Sequence, residues 1–230
     1  YGWMDGNAVL DRPHGLPELD RARGEVAIEK LVWVEVAADP GQHLAEAAWA
    51  QRLAAADARI AGLVAAVPVE KGAAVEADLA RLRENRALRG VRRLIQGEVD
   101  QSFCLAPAFL DGLRVVARHG LTFDLCLKHW GLVFAIELAR CVPELTFVLD
   151  HIGKPGISHG LVEPLKSQLR ELAREPNVVC KISGVVTEAD HRSWTVEQLR
   201  PYIDWGFECF GFQRVMYGSD WPVAELTHRY

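Results

Sequence analysis

Nothing in this chain ties it to a membrane, a nucleic acid or an oxidising compartment. No run approaches the ~20 consecutive apolar residues of a transmembrane helix, although 50% of the 230 residues are hydrophobic. Basic residues form no block that would track a phosphate backbone, and 26 basic against 31 acidic residues leave a formal charge of -5. Nucleic acid is therefore not an expected partner. The 5 cysteines (Cys104, Cys126, Cys141, Cys180, Cys209) are widely spaced and include no Cys-x-x-Cys pair. That usage fits a reducing cytoplasm better than a disulfide framework. Tyr1-Gly-Trp-Met4 has neither the charged region nor the apolar core of a signal peptide, and it does not read as a natural start.

Three motifs are also missing. Without Gly-x-Gly-x-x-Gly there is no dinucleotide fingerprint. Without Gly-x-Ser-x-Gly there is no serine elbow, and Ser183 and Ser219 read as turn residues. Cys126 and Cys180 lie in apolar runs and read as small core residues. No His-x-His pair occurs, and His14, His43, His119, His129, His159, His191 and His228 are scattered as surface or helix-end residues.

What is present is a rhythm. Apolar, β-branched runs recur at Leu31–Val36, Ile60–Val67, Leu88–Ile95, Leu121–Leu127, Leu145–His151, Val178–Ser183 and Val215–Ser219. Helical periodicity falls between them, as in Phe109, Leu113, Val116 and Ala117, or Leu161, Leu165, Leu169 and Leu172. The Ala-rich segment 42–57 is a helix by propensity. Gly153-Lys-Pro-Gly156, Pro176-Asn177 and Pro201 mark loops. Runs as continuously apolar as Leu145-Thr-Phe-Val-Leu149 suit parallel strands covered on both faces. The expected fold is α/β, a single domain over 1–230 built as a TIM-type (β/α)8 barrel. Its first strand would lie before Tyr1, and its last helix is cut short.

In such a barrel the chemistry sits where strands end. The polar residues at those ends are Glu35, Arg92, Lys128-His129, Asp150-His151 with Lys154, Lys181 with Ser183-Gly184, and Asp220. Asp220 alone is an even choice between a catalytic acid and a turn or helix cap, but His151 and Asp220 at two strand ends tip the reading towards catalysis. Two mechanisms suit them. In one, Asp220 takes a proton from water while His151 and Arg92 polarise a carbonyl. In the other, a divalent metal on histidines and Asp220 acidifies that water, which needs more ligands than this chain offers.

The segments Phe147-Val-Leu-Asp-His-Ile-Gly-Lys-Pro155, Asn177-Val-Val-Cys-Lys-Ile-Ser-Gly184, Val186-Thr-Glu-Ala-Asp190 and Tyr217-Gly-Ser-Asp-Trp-Pro-Val223 together resemble the sugar-lactonase branch of the amidohydrolase superfamily. The resemblance implies hydrolysis of a small lactone, with Asp220 as general base and His151 at the attacked carbonyl. Arg92 matches the family's Gly-x-Arg motif and is expected to bind substrate. Glu35 stands where relatives often carry Gln, and Lys128 is a candidate for specificity. Trp221, beside Asp220, is the tryptophan expected to stack on a sugar ring. No cofactor is expected to be required. A single divalent ion such as Zn, if used, would take His151 and Asp220 together with first-strand histidines that this chain does not contain. The competing readings are a metal-dependent decarboxylase and an inactive small-molecule binder.

Overall fold

The computed structural model describes residues 1–227. Its strands are β1 (Leu31–Val34), β2 (Ile60–Ala66), β3 (Leu88–Arg92), β4 (Thr122–Leu125), β5 (Phe147–Leu149), β6 (Val178–Ile182) and β7 (Val215–Tyr217). The helices are α1 (Leu16–Ala22), α2 (His43–Ala56), α3 (Glu76–Leu82), α4 (Pro107–Arg118), α5 (Leu132–Cys141), α6 (Leu165–Leu172) and α7 (Val196–Phe210). All seven strands are parallel and pair in chain order, β1 to β7, in one sheet. Every expected apolar run contains one of them, each shorter than the run. Among the described residues no helix is long and apolar enough to cross a membrane.

The sheet holds together because both of its faces are covered. Phe147, Val148 and Leu149 of β5 are all buried. Phe109 of α4 meets Phe123 of β4 edge to face at 6.0 Å, and Phe123 meets Phe147 of β5 at 6.1 Å, the offset geometry that aromatic quadrupoles prefer. Phe109, Leu113 and Val116, spaced along one stripe of α4, are fully buried. The end of the sheet where strands begin is pinned by polar side chains on backbone carbonyls. Asn177 Nδ2 donates to Ala139, Val142 and Leu145, and the Arg214 guanidinium donates to Ala173, Glu175 and Val178.

Pro201 departs from the expected loop and lies inside α7. A proline there removes one helical hydrogen bond. Thr195 and Gln198 form a reciprocal capping box at the helix start, and Leu199, Tyr202, Trp205 and Phe210 are buried along it. Those contributions outweigh the lost bond. At the sheet edges, β1 and β7 each pair on one side only among the described residues. Val32 is 60% exposed there and Tyr217 83%.

Candidate functional site

The carboxyl ends of the strands carry two kinds of charge. The first kind is fully engaged. Arg92, the last residue of β3, donates from Nε to Glu35 Oε1 at 2.5 Å, from Nη2 to the Glu35 carbonyl at 2.5 Å, and from Nη1 to Asp150 Oδ2 at 2.9 Å. The other Asp150 oxygen accepts from Lys181 Nζ at 2.5 Å, and Lys181 donates also to Asp124 Oδ2 at 2.9 Å. Glu35 Oε2 accepts from the Ala37 backbone N–H at 2.7 Å. These five side chains thus form one ion-paired chain from the end of β1 to β4. Each would be prohibitive to bury alone. Burial opposes ionisation of Asp150, but Lys181 and Arg92 outweigh it and hold the carboxyl below the usual range. Asp124, at the end of the chain, is pushed up to about 6 by burial and by the Asp150 charge.

The second kind is uncommitted. His151 Nδ1 pairs with Ser183 Oγ at 2.9 Å. Its Nε2 faces Asp220 Oδ1 at 3.8 Å, beyond hydrogen-bond length. Among the described residues neither Nε2 nor the Asp220 carboxylate makes a hydrogen bond. The turn-capping alternative for Asp220 therefore fails, and Ser219 Oγ does that work by accepting from the Trp221 N–H at 3.2 Å. Burial pushes His151 down to about 3, so the imidazole is neutral at ordinary pH. Burial pushes Asp220 up to about 6, with Lys154 and Arg92 pulling the other way.

Backbone strain positions the pair. His151 (φ 55°), Ile152 (φ 56°), Lys154 (φ 50°) and Asp220 (φ 56°) all lie in the left-handed region. Each costs a non-glycine residue roughly 1–2 kcal/mol, and such strain concentrates at functional sites. It also ends β5 at Leu149, short of the expected His151. Gly184 (φ 58°) completes the arrangement, since a Cβ there would lie 2.7 Å from both Asp220 Oδ2 and His151 Nδ1.

The other expected substrate contacts are placed less directly. Lys128 Nζ sits 3.3 Å from Glu188 Oε2. Trp221 donates its indole N–H to Glu225 Oε1 at 2.7 Å and meets His14 edge-on at 5.5 Å. Those two partners, with Arg12, line a cleft of about 460 Å³. His228 lies outside the described residues.

Asp124 was missed by sequence reasoning, and Asp150, Lys181 and Ser183, although collected among the polar strand ends, were given no role in the site. A signal existed for two of them: Asp124 in Phe-Asp-Leu and Lys181 in Cys-Lys-Ile are lone charges of opposite sign within apolar strands.

Cys126 Sγ, an Asp150 oxygen and a His151 nitrogen lie within 4.8 Å of one another, a spacing within reach of one divalent ion. The donor chemistry opposes it. Both Asp150 oxygens already carry cations, and burial pushes the Cys126 thiol up to about 12. This trio does not fit a resident metal. Among the described residues His151 Nε2 and Asp220 are free to ligate, two groups where catalytic zinc takes about three protein ligands.

A family model described as Amidohydrolase matches residues 7–230, and the chain belongs to that family. It is 34% identical over 151 residues to an L-fucono-1,5-lactonase of Burkholderia ambifaria, a match covering 66% of this chain and 52% of that protein. It is 34% identical over 197 residues to an L-fucono-1,5-lactonase of Burkholderia multivorans, covering 80% of this chain and 65% of the relative. The chain thus spans about half to two-thirds of the length of these relatives. A crystal structure of an amidohydrolase from Burkholderia multivorans with bound Zn superposes with a TM-score of 0.86 at 30% identity, covering 98% of this chain and 80% of that one.

Proposed function

We propose that this chain forms the catalytic part of a lactonase that opens a small polyhydroxylated lactone. Asp220 acts as general base and His151 hydrogen-bonds the carbonyl under attack. The observation that carries the reading is the uncommitted pair, His151 Nε2 and Asp220 Oδ1, 3.8 Å apart beside a charge network with no free carboxylate. A water between them would give its proton to Asp220 as its oxygen attacks. With Ser183 donating to Nδ1, His151 carries its proton on Nε2 and can donate to the carbonyl oxygen. The L-fucono-1,5-lactonases among the relatives support a sugar-derived lactone as substrate.

In this reading Arg92 and Glu35 act mainly through each other. Three guanidinium nitrogens are engaged, which suits fixing Asp150 and its neighbour His151 more than gripping a ligand. Lys128 and Trp221 remain rim residues for substrate selection. The chemistry needs no metal. The exposed, one-sided edges of β1 and β7 support a slot for one further strand, which would close the sheet into a barrel.

The test is proton release, followed with a pH indicator, as the protein meets a panel of aldonolactones, with Asp220→Asn and a chelator alongside. Hydrolysis that is lost in Asp220→Asn and kept with chelator is expected. Hydrolysis unchanged in the variant removes Asp220 from the mechanism, and carbon dioxide release from an aromatic acid would replace the reading with a decarboxylase.

A further inference from the structure

Lys154 closes the left-handed turn that begins at His151. Its backbone N–H donates to the His151 carbonyl at 2.9 Å, and Ile152, Gly153 and Lys154 all keep positive φ. Residues three apart in so tight a turn return to the same side, which brings Lys154 round to the side of His151. Its field reaches both members of the pair, being the first charge to oppose burial at Asp220 and the first cation to add to it at His151.

The Lys154 side chain is only 14% exposed, yet Nζ makes no hydrogen bond among the described residues. The anion within salt-bridge reach of it, Glu188 Oε1, stands at 3.7 Å, and the other Glu188 oxygen is taken by Lys128 at 3.3 Å. An ammonium carries three donors, and those of Lys154 are left for solvent or a ligand. Lys181, by contrast, is 14% exposed and donates to two carboxylates. A sheltered cation with open donors beside a base and a neutral imidazole is suited to an anion that forms during the reaction.

We propose that Lys154 is a further catalytic residue, donating to the lactone carbonyl oxygen as it becomes an oxyanion and then to the product carboxylate, with Glu188 and Lys128 as positioning residues. This rests on the lactonase reading. As the water oxygen bonds to the carbonyl carbon, Asp220 takes its proton and the carbonyl π pair moves onto the oxygen held by Lys154 and His151. Collapse re-forms the carbonyl and breaks the ring C–O bond. The departing alkoxide takes the proton from Asp220, and the acid formed releases one proton to solvent. Lys154 keeps its protons throughout.

The experiment pairs kinetics with calorimetry. Galactonate and gluconate are titrated against their uncharged alditols into the wild type, Lys154→Met and Lys154→Arg, and the lactones are assayed on the same proteins. Lys154→Asn, which tolerates the left-handed backbone, guards against misfolding of the Met variant. The wild type is expected to favour an aldonate over its alditol by about tenfold. The Met and Asn variants should lose that preference and about 100-fold in kcat with little change in KM, and Lys154→Arg should recover part of both. A preference kept in folded Met or Asn variants, absent from the wild type, or lost with kcat unchanged, overturns the proposal. If the wild type hydrolyses no lactone, the activity reading fails by itself, and the aldonate preference alone decides Lys154: lost with the ammonium, it supports the assignment, and otherwise it ends it.

Discussion

Glu35, Arg92, Asp150, Lys181 and Asp124 differ from His151, Lys154 and Asp220 in one respect that matters more than burial. In the first group each charge meets an opposite charge at hydrogen-bond distance. In the second, Lys154 stands 3.7 Å from Glu188, Asp220 stands 3.8 Å from the neutral His151, and among the described residues no ionic hydrogen bond is made. Paired charges make a frame, because removing any one strands another. Unpaired ones hold free energy in reserve for a ligand, and the left-handed backbone at all three adds to that reserve. The comparison teaches that buried charge by itself does not mark a reactive group; lack of a partner does.

Substituting one residue from each group separates them most sharply. Asp220→Asn is expected to lower kcat about 10²–10⁴-fold, the range for loss of a general base, with no loss in Tm. The sign of its stability effect follows from the raised pKa. A carboxyl held at about 6 when folded contributes stability that is present below its unfolded value and lost as pH rises through 6. The amide does not titrate, so the variant should gain on the wild type between about pH 4 and 6, by on the order of 1–3 kcal/mol, and then hold that margin. A drop in Tm at pH 8 would move Asp220 into the frame.

Lys181→Met makes the opposite cut. It leaves Asp150 and Asp124 facing each other without their shared cation, and stability should fall by about 3–5 kcal/mol, read as a lower urea midpoint. An unchanged midpoint would mean that the network is not a frame. Any loss of activity should then track the unfolded fraction.

How far the sequence alone reveals this division depends on the range of the forces involved. The strands were legible because burial on both faces leaves an apolar run that no other element needs, and Asp220 and His151 were legible because they end such runs. The pairing of Lys181 with Asp124 was not, since it joins strands that flank β5 and depends on register. A lone charge in each run was the available hint. The left-handed turn left only a faint trace in Gly153 and His151, because Ile152 and Lys154 are not residues that favour positive φ. Only the fold holds them there, and with them the reactive face of Lys154.

The pH profile sharpens the comparison at smaller amplitude. Asp220 must be ionised to accept a proton, so kcat/KM should rise with pH, pass half-maximum near 6 and level off. His151, held near 3, should add no second limb in that range. A falling limb near 6 would instead make Asp220 a proton donor.

Ser183→Ala is the finest cut, because Ser183 belongs to neither group. Among the described residues its hydroxyl bonds only the nitrogen of His151 that faces away from Asp220. Removing it leaves the ion pairs intact and frees the imidazole to change tautomer. The loss expected is about 0.5–1.5 kcal/mol, the net worth of one hydrogen bond, or roughly three- to tenfold in kcat with stability nearly unchanged. A larger loss of kcat would show that the Nε2 proton is set by Ser183 alone. No loss would mean that the Asp220 carboxylate, 3.8 Å away, is enough to hold that proton in place.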